Sequence, residues 1–370
     1  MTKTVGILTF HNGYNFGAVL QAFALQRTIA SFGNSCKIID YRRPGLYPLF
    51  CFPANFGDIK FNIRALLNFK SLIVLRKRFA NFLATSLRMT STRYKSFEEL
   101  AHNNLRFDVY VTGSDQVWNP HMLEQSSGIG PIYYLEFITS GRRVAYAPSF
   151  GVSDMPGRYR DLAAEYLKRF DFLSSREETG CSIIRELTGR NAEHVLDPTL
   201  LQPANAYNQI AVEPFFGKPY ILLYPMQPSD ALNHLAINVS KYLNLPIVAV
   251  LPTHYNPMRF SFADKVVFDA GPAEFLGWIK NASFVCTNSF HGTCFSIIYR
   301  KCFLGVAPAI GNTRLQSLLT CMGLLSRQLS DQYQLAEGDP LLEPIDYAPI
   351  ELRLQMAINN SLNYLKQAVA

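Results

Sequence analysis

The feature that most limits the fold is an alternation of short apolar runs with helical patterns, and it starts twice along the chain. The first start is Val5–Phe10, VGILTF, followed by the polar loop HNGYNFG and then by apolar residues at three- and four-residue spacing from Ala18 to Ser31. A second apolar run, Cys36–Asp40, comes a few residues later. A strand, helix and strand of these lengths form the opening βαβ of a doubly wound parallel sheet. Three more strand-to-loop junctions follow, FDVYVTGSDQ, RVAYAPSFG and FDFLSSREETG. Ligands of open parallel sheets collect at such carboxyl ends.

Near Val195 the text changes to LDPTLLQPANAY, without periodicity, and a new alternation begins at Pro219–Tyr224. It continues with a helix over about 231–243, a strand PIVAVL, a helix PAEFLGWIKNA, a strand SFVCTN and the loop SFHGT leading into another helix. At 370 residues the chain suits two domains. The expected architecture is α/β, two Rossmann-like domains facing a cleft, over 1–202 and 203–345. A final helix over 346–370 is expected to cross back to the first domain.

The net charge of +7 suggests a nucleic-acid protein until it is located along the chain. Residues 42–95 hold eleven Lys or Arg against the single acid Asp58, while the remainder carries 24 basic and 27 acidic residues. One segment supplies the whole excess, and no basic-aromatic single-strand module accompanies it, so nucleic acid is not expected as a partner. The segment reads as a basic helical insertion, FKSLIVLRKRFANFL at its centre. It has a solvated rim or, in a sharper reading, contacts an acidic glycan or anionic inner-leaflet lipid through 60–95. The seven cysteines lack any C-x-x-C pair, which argues against a disulfide framework or a zinc site. With no apolar run of membrane-spanning length and no signal-type segment, a cytoplasmic location is expected, peripheral to the inner membrane at most.

Four loops carry candidate chemistry. In HNGYNFGA, Gly17 opens a helix whose free N–H groups suit an anion, and His11 and Asn15 project from the loop; helix capping is the plainer reading. In GSDQVWN, Ser114, Asp115, Gln116 and Trp118 follow a buried strand, with Asp115 either handling a sugar hydroxyl or capping a helix. Ser149 ends the strand of APSFG and is grouped with them. In SSREETG, Arg176 is suited to clamp a carboxylate or phosphate, against the alternative of a surface salt bridge to Glu177 or Glu178. In TNSFHGT, His291 stands at a strand end before a helix, with Gly292 permitting close backbone approach and Asn288, Ser289 and Thr293 as added donors; a lone histidine there is commonly structural.

Taken in order, FHNGYNFGAVLQAFALQ, VTGSDQVWNP, AYAPSFG, SSREETG, VLDPTLL and TNSFHGT resemble the polysaccharide pyruvyl transferase family, over roughly Val5 to Arg327. The resemblance implies a GT-B-like pair of domains and transfer of pyruvate from phosphoenolpyruvate to a saccharide as a ketal, in bacterial surface-polysaccharide biosynthesis. It implies a donor bound mainly by the second domain and an acceptor in the cleft that is a lipid-linked unit or a nucleotide sugar. Phosphoenolpyruvate is then a co-substrate, with no further cofactor and no metal. Arg176 resembles the family's donor-binding arginine, and His291 the histidine at the donor strand end. Better-known members carry an arginine where this chain has Ser289, so Arg176 carries more of the charge or Arg314, at a helix start, substitutes. His291 is then expected as general acid and Asp115 as the group that activates or orients a hydroxyl. The rivals are a nucleotide-sugar glycosyltransferase on the same paired-domain plan and a catalytically silent glycan-binding scaffold.

Overall fold

The computed structural model describes residues 2–42, 69–103, 105–124, 130–252, 256–307 and 312–370. The first apolar run forms β1 (Thr4–Leu8), in which Val5, Ile7 and Leu8 are fully buried, as a strand covered on both faces requires. The helix α1 (Phe16–Ser31) follows, its N-terminus closed by the Asn15 side chain, which accepts from the Ala18 N–H at 3.2 Å. Next come β2 (Ser35–Tyr41), α2 (Phe69–Ser86), β3 (Met89–Tyr94), β4 (Val109–Thr112) and β5 (Arg142–Ala145). The strands make a five-stranded parallel sheet in the order β3-β2-β1-β4-β5. The order reverses between β1 and β4, so the loops after them, 9–15 and 113–119, open into one crevice.

The strand expected in FDFLSS is shorter than its apolar residues suggest. After α3 (Gly157–Leu167), Phe172 forms one isolated bridge to Val144, and β6 (Ser174–Ser175) pairs only with β7 (Glu193–His194), across α4 (Glu178–Thr188). The serine hydroxyls replace a ladder here: Ser174 Oγ donates to the Ala145 carbonyl at 2.7 Å and Ser175 Oγ to that of Pro148 at 3.1 Å.

The second unit holds β8 (Ile221–Tyr224), α5 (Asp230–Leu243), β9 (Ile247–Val250), β10 (Lys265–Val267), α6 (Pro272–Asn281), β11 (Phe284–Thr287), α7 (Phe290–Ile298), β12 (Cys302–Val306), α8 (Thr313–Met322) and β13 (Gln328–Leu329). Its sheet runs β10-β9-β8-β11-β12-β13, parallel throughout, and reverses between β8 and β11. The loop from Asn288 to His291 therefore lies at the second unit's own switch point. This is the α/β, two-Rossmann-unit architecture of GT-B-like type.

Three features join the units. Phe16 stacks on Phe275 at 4.7 Å between ring centroids and on Phe79 at 5.7 Å. The helix α9 (Ala348–Ala368) returns to the first unit, where Tyr364 Oη donates to the Ala145 carbonyl at 2.9 Å and Ser361 Oγ accepts from the Leu196 N–H at 2.9 Å. The basic helix α2 spans the seam. Its Leu72 belongs to the same apolar cluster as Ile221 and Phe260, and Phe82 lies edge-on to Phe23 of the first unit. Half of the apolar face that made α2 a membrane candidate, Leu72, Phe79 and Phe82, is thus core, and Arg78 pairs with Asp269 at 2.9 Å and Glu274 at 3.0 Å. The rest of the basic segment, over 43–68, lies outside the described residues.

Candidate functional site

The two switch points meet at one carboxylate. Asp197 follows β7 and is fully buried, and its Oδ1 accepts from the Thr199 N–H at 3.0 Å and the Thr199 hydroxyl at 2.8 Å. Its Oδ2 accepts from the Arg176 guanidinium at 2.7 Å and faces the Ser114 hydroxyl at 3.0 Å. From the second unit, His291 Nε2 approaches the same oxygen to 3.6 Å, longer than a hydrogen bond. Burial alone pushes the Asp197 carboxyl up, but the His291 imidazole, the Arg176 guanidinium and the Thr199 N–H outweigh it and hold it well below the usual carboxylate range.

Arg176 is itself only 3% exposed. Its second terminal nitrogen reaches Asp115 Oδ1 at 3.5 Å, and its guanidinium lies 4.4 Å from the centroid of the Phe290 ring. Desolvation works against its charge, and Asp197, Asp115 and Glu177 more than offset it, so its pKa is raised. The expected alternative, a surface salt bridge to Glu177 or Glu178, does not form. Glu177 Oε1 instead accepts from Ser149 Oγ at 2.8 Å, Phe150 N–H at 2.9 Å and Gly151 N–H at 3.2 Å, and Glu178 faces His194 at 3.9 Å.

His291 is 6% exposed and lies against Gly17, where a Cβ would stand 2.0 Å from its Nδ1. Glycine is required there by contact with the ring rather than by backbone angle. Arg314, in the first turn of α8, is partly buried and makes no ion pair or hydrogen bond among the described residues. Burial and the neighbouring Arg176 charge lower its pKa to about 10, which leaves it a cation at neutral pH.

Buried polar atoms without a partner are few in folded proteins. Of nine such side-chain atoms among the described residues, six fall on Arg176, Glu177, Thr179, His291, Thr313 and Arg314. Arg176, Glu177 and Arg314 interact with one another, which makes this cluster the candidate ligand site. Among the described residues no group of three or more His, Cys, Asp or Glu side chains is placed to hold a metal ion.

The remaining expected residues are held by other contacts. His11 is fully buried, with Nδ1 3.0 Å from the Thr9 carbonyl and Nε2 3.1 Å from Asp40, so it belongs to the wall of the first sheet and not to the cluster. Trp118 is core: it stacks on Tyr134 at 5.3 Å, and its indole N–H donates to the Tyr133 carbonyl. Gln116 Oε1 accepts from Asn119 at 2.6 Å. Asn288 Oδ1 accepts from the Met226 N–H at 2.7 Å, which fixes the loop after β8. Ser289 caps α7 by accepting from the Gly292 N–H at 3.2 Å, and the Thr293 hydroxyl donates to the Ser289 carbonyl. A Cβ on Gly292 would meet Thr287 Oγ1 at 2.6 Å. Asp197 was not singled out, although it lies in VLDPTLL, one of the six strings of the family resemblance; it caps the short turn Pro198–Leu201.

Fold and cluster together define a two-unit α/β protein with a charged site where its two sheet crevices converge. The chain belongs to the polysaccharide pyruvyl transferase family, which it matches over residues 15–309. No curated protein matches it at a significant level. Solved structures that resemble it include a UDP-GlcNAc 2-epimerase from Methanocaldococcus jannaschii, at 9% identity over 97% of this chain and 93% of that one, TM-score 0.47. Others are the glycosyltransferase SnogD from Streptomyces nogalater (10% identity, 98% and 95% covered, TM-score 0.49) and MurG of Acinetobacter baumannii (8%, 99% and 99%, 0.46).

Proposed function

We propose that the protein transfers the carboxyvinyl unit of phosphoenolpyruvate to two hydroxyls of a saccharide, closing a ketal and releasing phosphate, in bacterial surface-polysaccharide biosynthesis. The observation that carries this reading is Arg314. A partly buried guanidinium with no ion-pair partner among the described residues, next to a second arginine, is costly unless an anion binds there. Asp197 and Asp115 already pair with Arg176, and Glu177 Oε1 is taken by Ser149 and two backbone N–H groups, so the anion contact falls mainly to Arg314 and the free Nε of Arg176. Phosphoenolpyruvate brings both a carboxylate and a phosphate, which suits two guanidinium groups.

Ketal formation begins when C3 of the enol gains a proton and C2 becomes electrophilic. His291 Nε2 has no hydrogen-bond partner among the described residues, and the ring is pinned by Gly17, so it is the proton donor in this scheme. Asp197 Oδ2 lies 3.6 Å from this nitrogen and faces it from the first unit. One sugar hydroxyl then adds to C2, phosphate departs toward Arg314, and the second hydroxyl closes the ring. Of the two hydroxyl protons, one restores His291 and the other leaves with phosphate. Asp115, held by the Gln116 N–H at 2.8 Å and near Arg176, is the acceptor that orients a hydroxyl.

A thermal-shift titration with phosphoenolpyruvate, beside uridine and guanosine diphosphates, tests the reading on native protein and Arg314→Met. Saturable stabilisation by phosphoenolpyruvate is expected, with affinity about ten- to a hundredfold weaker in the variant, the worth of a hydrogen bond to a charged group. Stabilisation by a nucleoside diphosphate alone would overturn it in favour of a nucleotide-sugar glycosyltransferase.

A further inference from the structure

We propose that the outward face of α2 is a docking surface for an anionic lipid bilayer. The helix has two unlike sides. Leu72, Leu75, Phe79 and Phe82 share one stripe and are buried against both units. The opposite stripe carries Phe69 and Ile73, 50% and 39% exposed, one turn apart, and the exposed cations Lys70, Arg76 and Lys77 flank them. Large apolar side chains bordered by Lys and Arg on a helix surface are the arrangement that interfacial helices use to insert while their charges meet lipid headgroups.

The charge pattern separates this face from an ordinary solvated one. Arg78, on the edge turned toward the second unit, is matched by Asp269 and Glu274. Arg93, on the following strand, is matched by Asp40. Lys70, Arg76 and Lys77 have no carboxylate within ion-pair distance among the described residues, and residues 69–95 contain no Asp or Glu at all. The cations on this face are thus unpaired, whereas Arg78 and Arg93 off it are paired, which is complementarity to an external anionic surface. Position supports a bilayer over a small anion. Ala80 continues the outward stripe, so the face extends for three turns, too long for one ligand. It also borders the first crevice, since Tyr14 of the loop before α1 lies 5.3 Å from Phe79. The inference is independent of the chemistry proposed above.

The test is sedimentation with phosphatidylglycerol-rich vesicles beside vesicles of pure phosphatidylcholine, at low and high salt. Native protein is expected to bind the anionic vesicles, to release from them with salt, and to ignore the neutral ones. Each basic residue near such a surface is worth about fivefold in partitioning, so Lys70→Glu/Arg76→Glu/Lys77→Glu should weaken binding on the order of a hundredfold or more. Arg88→Glu/Lys95→Glu, which changes the same segment away from this face, should weaken it far less. Ile73→Asp, a single change, should also reduce binding and covers the case in which the triple variant does not fold. The proposal is overturned by absence of binding at low salt, by equal binding to neutral vesicles, or by a triple variant that binds like native protein. An Arg88/Lys95 variant that loses as much as the triple variant, or a soluble acidic polysaccharide that binds as tightly as the vesicles, overturns it equally.

Discussion

Replacing Gly17 by alanine tests the geometry of the cluster without removing any polar atom from it. The added Cβ would stand 2.0 Å from His291 Nδ1 and 2.2 Å from its Cγ. Ordinary contact between such atoms is about 3.5 Å, so the ring must recede by about 1.5 Å. Rotation in place does not relieve the clash, because Cγ, the pivot of the ring, is itself struck. Overpacking of this kind costs about 1–3 kcal/mol of stability. The larger effect falls on chemistry, since a misplacement of about 1 Å at a reacting group costs on the order of a hundredfold in rate. Gly17→Ala is therefore expected to fold, to melt a few degrees lower, and to lose about two orders of magnitude in kcat/KM for phosphate release from phosphoenolpyruvate with a saccharide diol. Retained binding of phosphoenolpyruvate would place the loss in kcat. A Gly17→Ala protein with native kcat/KM would refute the assignment of His291 to proton transfer from this position.

Two further outcomes follow from the charge network. Arg176→Met leaves Asp197 buried without its closest cation, which should destabilise the fold by about 3–5 kcal/mol in urea denaturation, whereas Arg314→Met, which removes an unpaired cation, should leave stability unchanged or raised. Because the Asp197 carboxyl is depressed in the folded protein, its contribution is present above its unfolded pKa of about 4 and is lost as pH falls below that. Melting temperatures of Asp197→Asn should consequently lie below native near neutrality and converge with it in acid; a constant gap down to pH about 2 would contradict the shift.

The strands β1, β2, β4, β5, β8, β9 and β11 were legible because each carries a short apolar run before a polar or proline-containing loop, and a parallel sheet buried on both faces demands that pattern, whereas β3 (MTSTRY), β10 (KVV) and β13 (QL) are polar or short and were not. The loops at the switch points were legible for the same reason, as polar clusters placed after such runs. Which side chain of a loop turns inward was not. His11 and Asp115 follow buried strands alike, yet His11 turns to Asp40 beneath the sheet end while Asp115, at φ 69°, turns toward Arg176. Trp118 reads as a polar-loop residue by its neighbours, but its aromatic surface is worth more against Tyr134 and Phe150. Asp197 could not be singled out because its partners come from Ser114, Arg176 and His291, and only the fold brings three such distant positions to one oxygen.

The convergence also limits how the two units can move. His291 belongs to the second unit, while Gly17, Arg176 and Asp197 belong to the first, so their spacing depends on the seam between them. Phe16, next to Gly17, stacks on Phe275 with an interplanar angle of 12°, and Phe290, next to His291, lies under the Arg176 guanidinium. Gly17 and His291 thus each have a sequence neighbour that bridges the seam. Separating the units here would expose the aromatic stack and strip Asp197 of a nearby imidazole, a cost of several kcal/mol against a domain stability of about 5–15 kcal/mol. Opening for substrate must therefore come from the loops around the crevice rather than from parting the units at this seam. Phe275→Ala tests this: by loosening the stack it should lower kcat through His291 while leaving the sheet cores of both units intact, as read by protection of β1 and β8 amides in hydrogen exchange. Unchanged kcat with reduced protection would mean that the seam serves stability alone.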